Sequence, residues 1–295
     1  MLRKLYLLIL LFFISTQGWA SSPLLWNKKA IKKNCPINQT AIWVNYPHGA
    51  DCIRYFSYGN LYNKKNVLIV LSGDRDAVMK RKPENIPNNT IEAQQHLAKK
   101  ISKKIKLPVI IIARPGTYGS SGNHARRRQK PEFLALDAAL ESLKQRYHIH
   151  HFILYGHSGG ATAAAAILTF GRNDISCAIL TSGAYDLLER AERLRVIRGQ
   201  RSQPNKDITG LLDPYDPLKH ISGIVQDSQR NILIIGNKYD KVTPFDLQAK
   251  FSTALQAAGH NVSLLEWVAR KPQYHNIKTE FLNEGIKYCN IKTKD

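Results

Sequence analysis

Gly156-His157-Ser158-Gly159-Gly160 sets a serine among glycines, directly after the apolar run Phe152 to Tyr155 and directly before the alanine-rich stretch Gly159 to Phe170. A strand that turns sharply into a helix there holds the serine in a strained conformation and presents its hydroxyl at the carboxyl edge of a sheet. Larger residues at the flanking positions would collide with the adjoining strand and helix. The displayed hydroxyl can attack a carbonyl, but it is a poor nucleophile alone. It needs a base to take its proton and a carboxylate to hold that base in the right tautomer. Both residue types occur downstream. Asp240 follows the apolar run Ile232 to Ile235, and His275 follows the run Val262 to Val268. The order Ser, Asp, His is one in which such a relay is built. Asp186, just past a run ending near Thr181, competes for the acid, and the spacing of Asp240 to Pro244 favours Asp240. His260 and His157 compete for the base. His260 precedes a strand and so falls at its amino end, and His157 adjoins Ser158 on a turn where neighbours point apart. The expected trio is Ser158, Asp240 and His275.

The elements that must position these residues alternate along the chain. Short apolar runs at Asn66 to Leu71, Pro108 to Ala113, Phe152 to Tyr155, Cys177 to Thr181, Ile232 to Ile235 and Val262 to Val268 are separated by amphipathic stretches. That rhythm predicts a mainly parallel sheet with crossover helices, an α/β fold. Cys52 to Tyr58 is expected to add an antiparallel edge strand. In Thr90 to Lys106, Ile91, Leu97, Ala98, Ile101 and Ile105 share one helical face, while Lys99, Lys100 and Lys103 form a solvated one. Phe133, Leu136, Leu140, Leu143 and Tyr147 repeat the pattern, and Pro244 opens a helix that Gly259 ends. Between Gly183 and Asn231 the rhythm breaks for nearly fifty residues, which include the charged helix Leu187 to Arg198. A stretch of that length reads as a small helical cap, at about 184–230, lying over one end of the sheet. The expected division is 1–20, an irregular basic arm at 21–50, and one domain at 51–295 that contains the cap.

With Ser158, Asp240 and His275 in this order on this framework, the chain resembles an α/β-hydrolase of the serine hydrolase superfamily over about residues 50–290. The stretch Pro214-Tyr215-Asp216-Pro217-Leu218, followed by a strand and then Gly236 to Asp240 and Val242-Thr243-Pro244, is similar to the dienelactone-hydrolase and prolyl-oligopeptidase-like branches. The resemblance implies Ser158 as nucleophile, Asp240 as orienting acid and His275 as base. An oxyanion would be stabilised by two backbone N–H groups. One is that of Gly159, the residue after the nucleophile, and the other comes from the turn Ser72-Gly73-Asp74. Family members often have His-Gly or a glycine run at that turn. This chain departs from it, leaving Gly73 or Asp74 as the second donor; Asp74 is favoured, through its backbone rather than its carboxylate. Arg114, heading the turn Arg114 to Gly122, resembles the family's Arg-Pro-Gly turn and is expected in a structural ion pair ahead of binding a substrate carboxylate.

Composition narrows the setting. Of 295 residues, 43% are hydrophobic, which is enough for a sizeable core and excludes a disordered or fibrous chain. Lys and Arg number 43 against 22 Asp and Glu, a formal charge of +21, so the surface attracts anions. Arg3 and Lys4 precede an apolar run from Leu5 to Ile14 that closes at Gly18-Trp19-Ala20, the pattern of a signal peptide cleaved after Ala20. The expected location is therefore secreted or periplasmic. There Cys35, Cys52, Cys177 and Cys289 can pair in three ways; Cys35 with Cys52 and Cys177 with Cys289 is preferred, against simple buried thiols.

His148, His150 and His151 precede the strand that leads to Ser158 and so lie at its amino end, away from the chemistry. Lys80 to Lys82 and Arg126 to Arg128 lack the interleaved aromatic residues of a nucleic-acid site. They suit an anionic envelope surface or plain solvation. The reading is a serine hydrolase with no cofactor or metal, acting on a small-molecule or lipid-like ester, with no specific nucleic acid and with its oligomeric state left open. Its alternatives are a serine peptidase of prolyl-oligopeptidase-like type and a non-catalytic binding protein on the same fold.

Overall fold

The structure, a computed structural model, describes residues 22–37, 39–277 and 281–290. The signal-peptide expectation for 1–20 lies outside the described residues. Eight strands run in chain order as β1 (Ala41–Tyr46), β2 (Gly49–Tyr58), β3 (Asn66–Leu71), β4 (Val109–Ile112), β5 (His151–His157), β6 (Ile175–Thr181), β7 (Asn231–Gly236) and β8 (Val262–Glu266). They form one sheet in the order β1-β2-β4-β3-β5-β6-β7-β8. From β4 to β8 all neighbours are parallel, while β1 with β2 and β2 with β4 are antiparallel.

Among the described residues six α-helices accompany them, the last following β8: α1 (Ile91–Ile105), α2 (Lys130–Tyr147), α3 (Gly159–Leu168), α4 (Leu187–Ile197), α5 (Phe245–Ala257) and α6 (Phe281–Tyr288). The sheet is covered on both faces, which is why its strands read as unbroken apolar runs. Alternate residues of β3 show the division. Val67, Ile69 and Leu71 join the core formed with α2, α3 and α5, whereas Leu68 and Val70 join the core formed with α1 and α6. The alanines of α3, from Ala161 to Ala166, are buried and carry no bulk, so this helix lies close under β5 and β6.

Two local expectations differ from the structure. Leu97 does not join the buried stripe of α1; it is 40% exposed. Gln94, Ala98, Ser102 and Ile105 line the inner face instead. Its polar members are satisfied locally, Gln94 donating to the carbonyl of Asn88 and Ser102 to that of Leu107, which rotates the stripe away from Leu97. The second difference is β1, which lies inside the arm read as irregular and pairs along the outer side of β2, so that β2, expected at the edge, runs between β1 and β4. Ile42 and Val44 enter the main core while Ala41 packs with Cys35 and Cys52, so both faces are covered and no period-two signal survives.

The disulfides are Cys35–Cys52 and Cys177–Cys289. The second ties α6 to β6 across a sequence separation of 112 residues. Between β6 and β7 the chain carries α4 and a 3-10 helix at Pro217–Gly223. The irregular segment after α4 is held to it by Arg195, whose guanidinium donates to the carbonyls of Gln203, Lys206 and Asp207.

Candidate active site

Ser158 is the N-cap of α3, immediately after β5, with φ +55° and ψ −124°. A non-glycine residue holds that conformation only where its surroundings enforce it. Here α3 presses against the sheet: a Cβ on Gly160 would come 2.0 Å from the carbonyl oxygen of Leu71 in β3. The Ser158 backbone is further tied by its N–H to the carbonyl of Thr181 at 2.8 Å. Only a strand-to-helix turn without a side chain at position 160 allows this approach.

Asp240 lies in the loop after β7 and His275 in the loop after β8, so all three expected residues meet at the carboxyl edge of the sheet. Ser158 Oγ is 2.8 Å from His275 Nε2, and His275 Nδ1 is 2.9 Å from Asp240 Oδ2 and 3.1 Å from Oδ1. Asp240 is held in turn. Its Oδ1 accepts the backbone N–H groups of Val242 at 2.8 Å and Thr243 at 2.9 Å. The Thr243 hydroxyl lies 2.9 Å from Oδ2, and Ser182 Oγ donates to the His275 carbonyl at 2.8 Å. A continuous line of hydrogen-bonding groups thus runs from the serine hydroxyl to a carboxylate whose own geometry is locked. Such a line can draw the proton from a serine and stabilise the imidazolium that results.

The competitors are elsewhere. Asp186 caps α4, accepting from the Glu189 N–H, and pairs with Lys250. His260 sits just before β8, at the opposite end of that strand from the His275 loop. His157 packs its ring 5.2 Å from that of His275, and its own nitrogens face Thr181 and Asn276. Burial, and then the neighbouring His275, push its pKa down to about 4, so it is a neutral ring beside the relay at pH 7. His148 and His150 face Tyr62 and Asn63 at the amino end of β5.

The turn 72–74 lies against Ser158. A Cβ on Gly73 would be 3.1 Å from Ser158 Cβ, and one on Gly159 would be 2.0 Å from Asp74 Oδ1. Gly159 and Asp74 are therefore brought to the same side of Ser158. The Asp74 carboxylate is engaged by arginines: Arg114 Nη1 donates to Oδ1 at 2.8 Å, Arg128 Nη2 pairs with Oδ2, and Arg127 Nε is 3.4 Å from Oδ2. Burial alone would raise its pKa, but Arg128, Arg114 and Arg127 hold it well below the usual carboxylate range. Arg114, only 2% exposed, also pairs with Glu132, and Arg128 with Asp207. This ionic cluster braces the turn beside Ser158. The run Arg126 to Arg128, expected on a solvated or envelope-facing surface, instead buries Arg127 and Arg128 in this cluster, whose partners are up to 79 residues apart in sequence. Thr243 and Ser182 likewise carry no motif signal beyond the proximity of Thr243 to Asp240 in sequence.

A search of curated proteins finds no significant match. Among solved structures, the chain is similar to an esterase from Pyrococcus furiosus at 16% identity and a TM-score of 0.61, covering 90% of this chain and 97% of that one. It is similar to Est1E from Butyrivibrio proteoclasticus, solved with ferulic acid, at 14% identity and a TM-score of 0.55, covering 84% and 96%. It is also similar to Pyrococcus horikoshii acylaminoacyl peptidase at 14% identity and a TM-score of 0.54, covering 85% of this chain but 39% of that one. These likenesses establish the α/β-hydrolase fold. The profile of the prolyl oligopeptidase family matches residues 123–279, more than half of the chain and the stretch that carries Ser158, Asp240 and His275. The protein is a serine hydrolase of the α/β-hydrolase fold and belongs to the prolyl oligopeptidase family.

Proposed function

We propose that the chain is a secreted or periplasmic serine esterase that cleaves small carboxylic or thioesters through an acyl-enzyme. The observation that carries this reading is the unbroken relay from Ser158 Oγ through His275, at 2.8 Å, to Asp240, at 2.9 Å. As Ser158 attacks the ester carbonyl, His275 Nε2 takes its proton and Asp240 stabilises the imidazolium. The tetrahedral oxyanion is received by the backbone N–H groups of Gly159 and Asp74. Collapse breaks the bond to the leaving alcohol, or to the thiol of a thioester, which departs with the proton from His275. Water then attacks the acyl-enzyme, giving its proton to His275, and the acid leaves as the proton returns to Ser158.

Ester substrates are favoured by the likeness to two esterase-type structures of nearly the same length, one of them solved with ferulic acid. Esters also demand less help for the leaving group than amides. The segment from α4 to the 3-10 helix would serve as the cap that bounds the pocket. Two disulfides agree with an oxidising compartment, and the basic surface would suit an anionic envelope. A serine peptidase is the second reading, favoured by the family and by the likeness to the acylaminoacyl peptidase.

The test is fluorophosphonate labelling of the purified protein beside Ser158→Ala, with p-nitrophenyl esters and peptidyl p-nitroanilides assayed in parallel. Labelling and ester turnover lost together in the variant support the esterase. Faster turnover of the anilides moves the peptidase ahead. No labelling and no turnover in the wild type overturn both and leave a binding protein on a hydrolase fold.

A further inference from the structure

Apolar side chains scattered singly over a surface are ordinary, but adjacent ones at the tip of a projecting segment are left in water at a cost. The end of α4 is such a place. The inner face of this helix is set by Leu187, Ala191 and Leu194, which are buried. Val196 and Ile197 turn away from that face and are 77% and 76% exposed. Both are β-branched, so helix propensity does not account for them. Every residue from 196 to 205 is exposed, and a Cβ added to Gly199 would meet nothing within 4 Å. The tip therefore stands clear of the rest of the described chain.

The same tip is cationic. Arg193 pairs with Glu189 and Asp246, and Arg195 with Glu192. Arg198 and Arg201, exposed on either side of Gly199, form no ion pair among the described residues. From residue 196 to residue 213 the acids are Asp207, which is buried against Arg128, and Asp213. α4 is anchored at its middle to the Asp240 loop, where Arg190 Nε donates to the Val242 carbonyl, and the segment after the tip is anchored to Arg128 through Asp207. The tip thus belongs to the edge of the sheet that carries Ser158. The loops after β7 and β8, at that same edge, repeat the pairing of apolar with basic residues. Tyr239 is 59% exposed between Lys238 and Lys241, and Val268 is 57% exposed ahead of Arg270 and Lys271. Of these cations Lys238 has a distant partner, Glu266 at 3.7 Å.

We propose that the tip of α4 docks the protein on an anionic lipid bilayer, Val196 and Ile197 entering the boundary of the acyl chains while Arg198 and Arg201 meet headgroup phosphates, with the edge that carries Ser158 turned toward the lipid. The setting rests on the secreted or periplasmic reading above. Charge complementarity chooses the sign of the partner, since a chain of formal charge +21 attracts anions. The apolar pair chooses the bilayer. A dissolved polyanion would engage Arg198 and Arg201 and leave Val196 and Ile197 in water, whereas a lipid interface takes up both kinds of side chain. A second copy of this chain would bring like charges together.

The experiment is flotation of the exported, purified protein with vesicles of phosphatidylcholine alone and with vesicles of equal parts phosphatidylcholine and phosphatidylglycerol. It compares the wild type with two double variants, Val196→Ser with Ile197→Ser and Arg198→Gln with Arg201→Gln. The wild type should bind the mixed vesicles at least about ten-fold more tightly than the neutral ones. Affinity for the mixed vesicles should fall by about ten-fold or more in the serine variant, which loses two apolar side chains from the interface. It should fall by about ten-fold in the glutamine variant, whose binding also depends less on salt. All four positions are exposed, so melting temperatures equal to that of the wild type certify the fold. A wild type that ignores the mixed vesicles, or binds both kinds equally, overturns the proposal. So does a serine variant that binds like the wild type, which would assign the tip to charge alone. A wild-type dimer that the serine variant turns into a monomer, with no binding to vesicles, gives the tip to a second copy and overturns it as well. Ser158→Ala should float as the wild type does, so a failure of fluorophosphonate labelling overturns the esterase reading and leaves the docking standing.

Discussion

Thr243 holds both oxygens of Asp240: its backbone N–H donates to Oδ1 at 2.9 Å and its hydroxyl lies 2.9 Å from Oδ2. The hydroxyl is also 3.2 Å from His275 Nδ1 and 3.0 Å from the carbonyl of Ser182. It therefore sits at the junction of the Asp240 loop, His275 and the end of β6. Replacing Thr243 by Val keeps the shape and removes the hydroxyl. A hydrogen bond to a charged group contributes about 1.5–3 kcal/mol, which corresponds to a loss of roughly ten- to hundred-fold in kcat/KM. Thr243→Ser should recover most of it. Fluorophosphonate labelling rates read beside thermal melting separate this effect from a general loss of stability; equal labelling by Thr243→Val and wild type would remove Thr243 from the relay.

Asp74 offers a sharper contrast between structure and chemistry. Its carboxylate neutralises Arg114, Arg127 and Arg128 where none of them reaches bulk water easily. Asp74→Ala would leave these cations short of a partner, an error that costs about 3–5 kcal/mol in a buried pair. At about 2–4 °C per kcal/mol for a domain of this size, the melting temperature should fall by roughly 10 °C. The carboxyl pKa is lower in the folded chain than in the unfolded one. Its stabilisation is thus fully present above about pH 4 and disappears as the pH falls through the depressed folded value. Acid melts of wild type and Asp74→Ala should converge at low pH, and parallel curves would disprove the assignment.

Asp216 works in the opposite direction. It is buried at the start of the 3-10 helix; its Oδ2 accepts the Leu187 N–H and its Oδ1 lacks a partner. Burial and then Asp186 raise its pKa to about 7. Because the folded pKa lies above the unfolded one, the folded chain binds the extra proton from about pH 4 to 7, and stability is lost as the pH rises through that window. Asp216→Asn keeps the acceptor and drops the charge. Its melting temperature should exceed that of the wild type by a few degrees at pH 8, with the gap shrinking by pH 5. A gap that does not change with pH would show that Asp216 carries no such proton.

The Cys177–Cys289 bridge closes the longer of the two loops and secures α6, whose Phe281 and Ile286 pack under the sheet. Cross-links of this span stabilise by about 2–5 kcal/mol. Cys289→Ser with Cys177→Ser should melt roughly 5–15 °C lower than wild type in oxidising buffer. Treatment with a thiol reductant should shrink the difference, and equal melting before reduction would show the bridge to be dispensable.

What the sequence determined by itself is the local and the periodic. Apolar runs spaced by amphipathic stretches specify parallel strands and crossover helices, since side-chain period and turn chemistry act over a few residues. Glycines around Ser158 specify a sharp strand-to-helix turn for the same reason. The order of Ser158, Asp240 and His275 followed because each lies just past an apolar run, and parallel strands bring their carboxyl ends to one edge. Tertiary structure decided everything that depends on pairing across distance. The arginine cluster on Asp74, the hydroxyl of Thr243 behind Asp240, the buried Arg190 bonded to the Val242 carbonyl and the strand Ala41–Tyr46 leave no periodic trace. In each case the side chain's role is fixed by which distant charge, carbonyl or sheet face the folded chain puts beside it. That is settled by packing, not by neighbours in sequence.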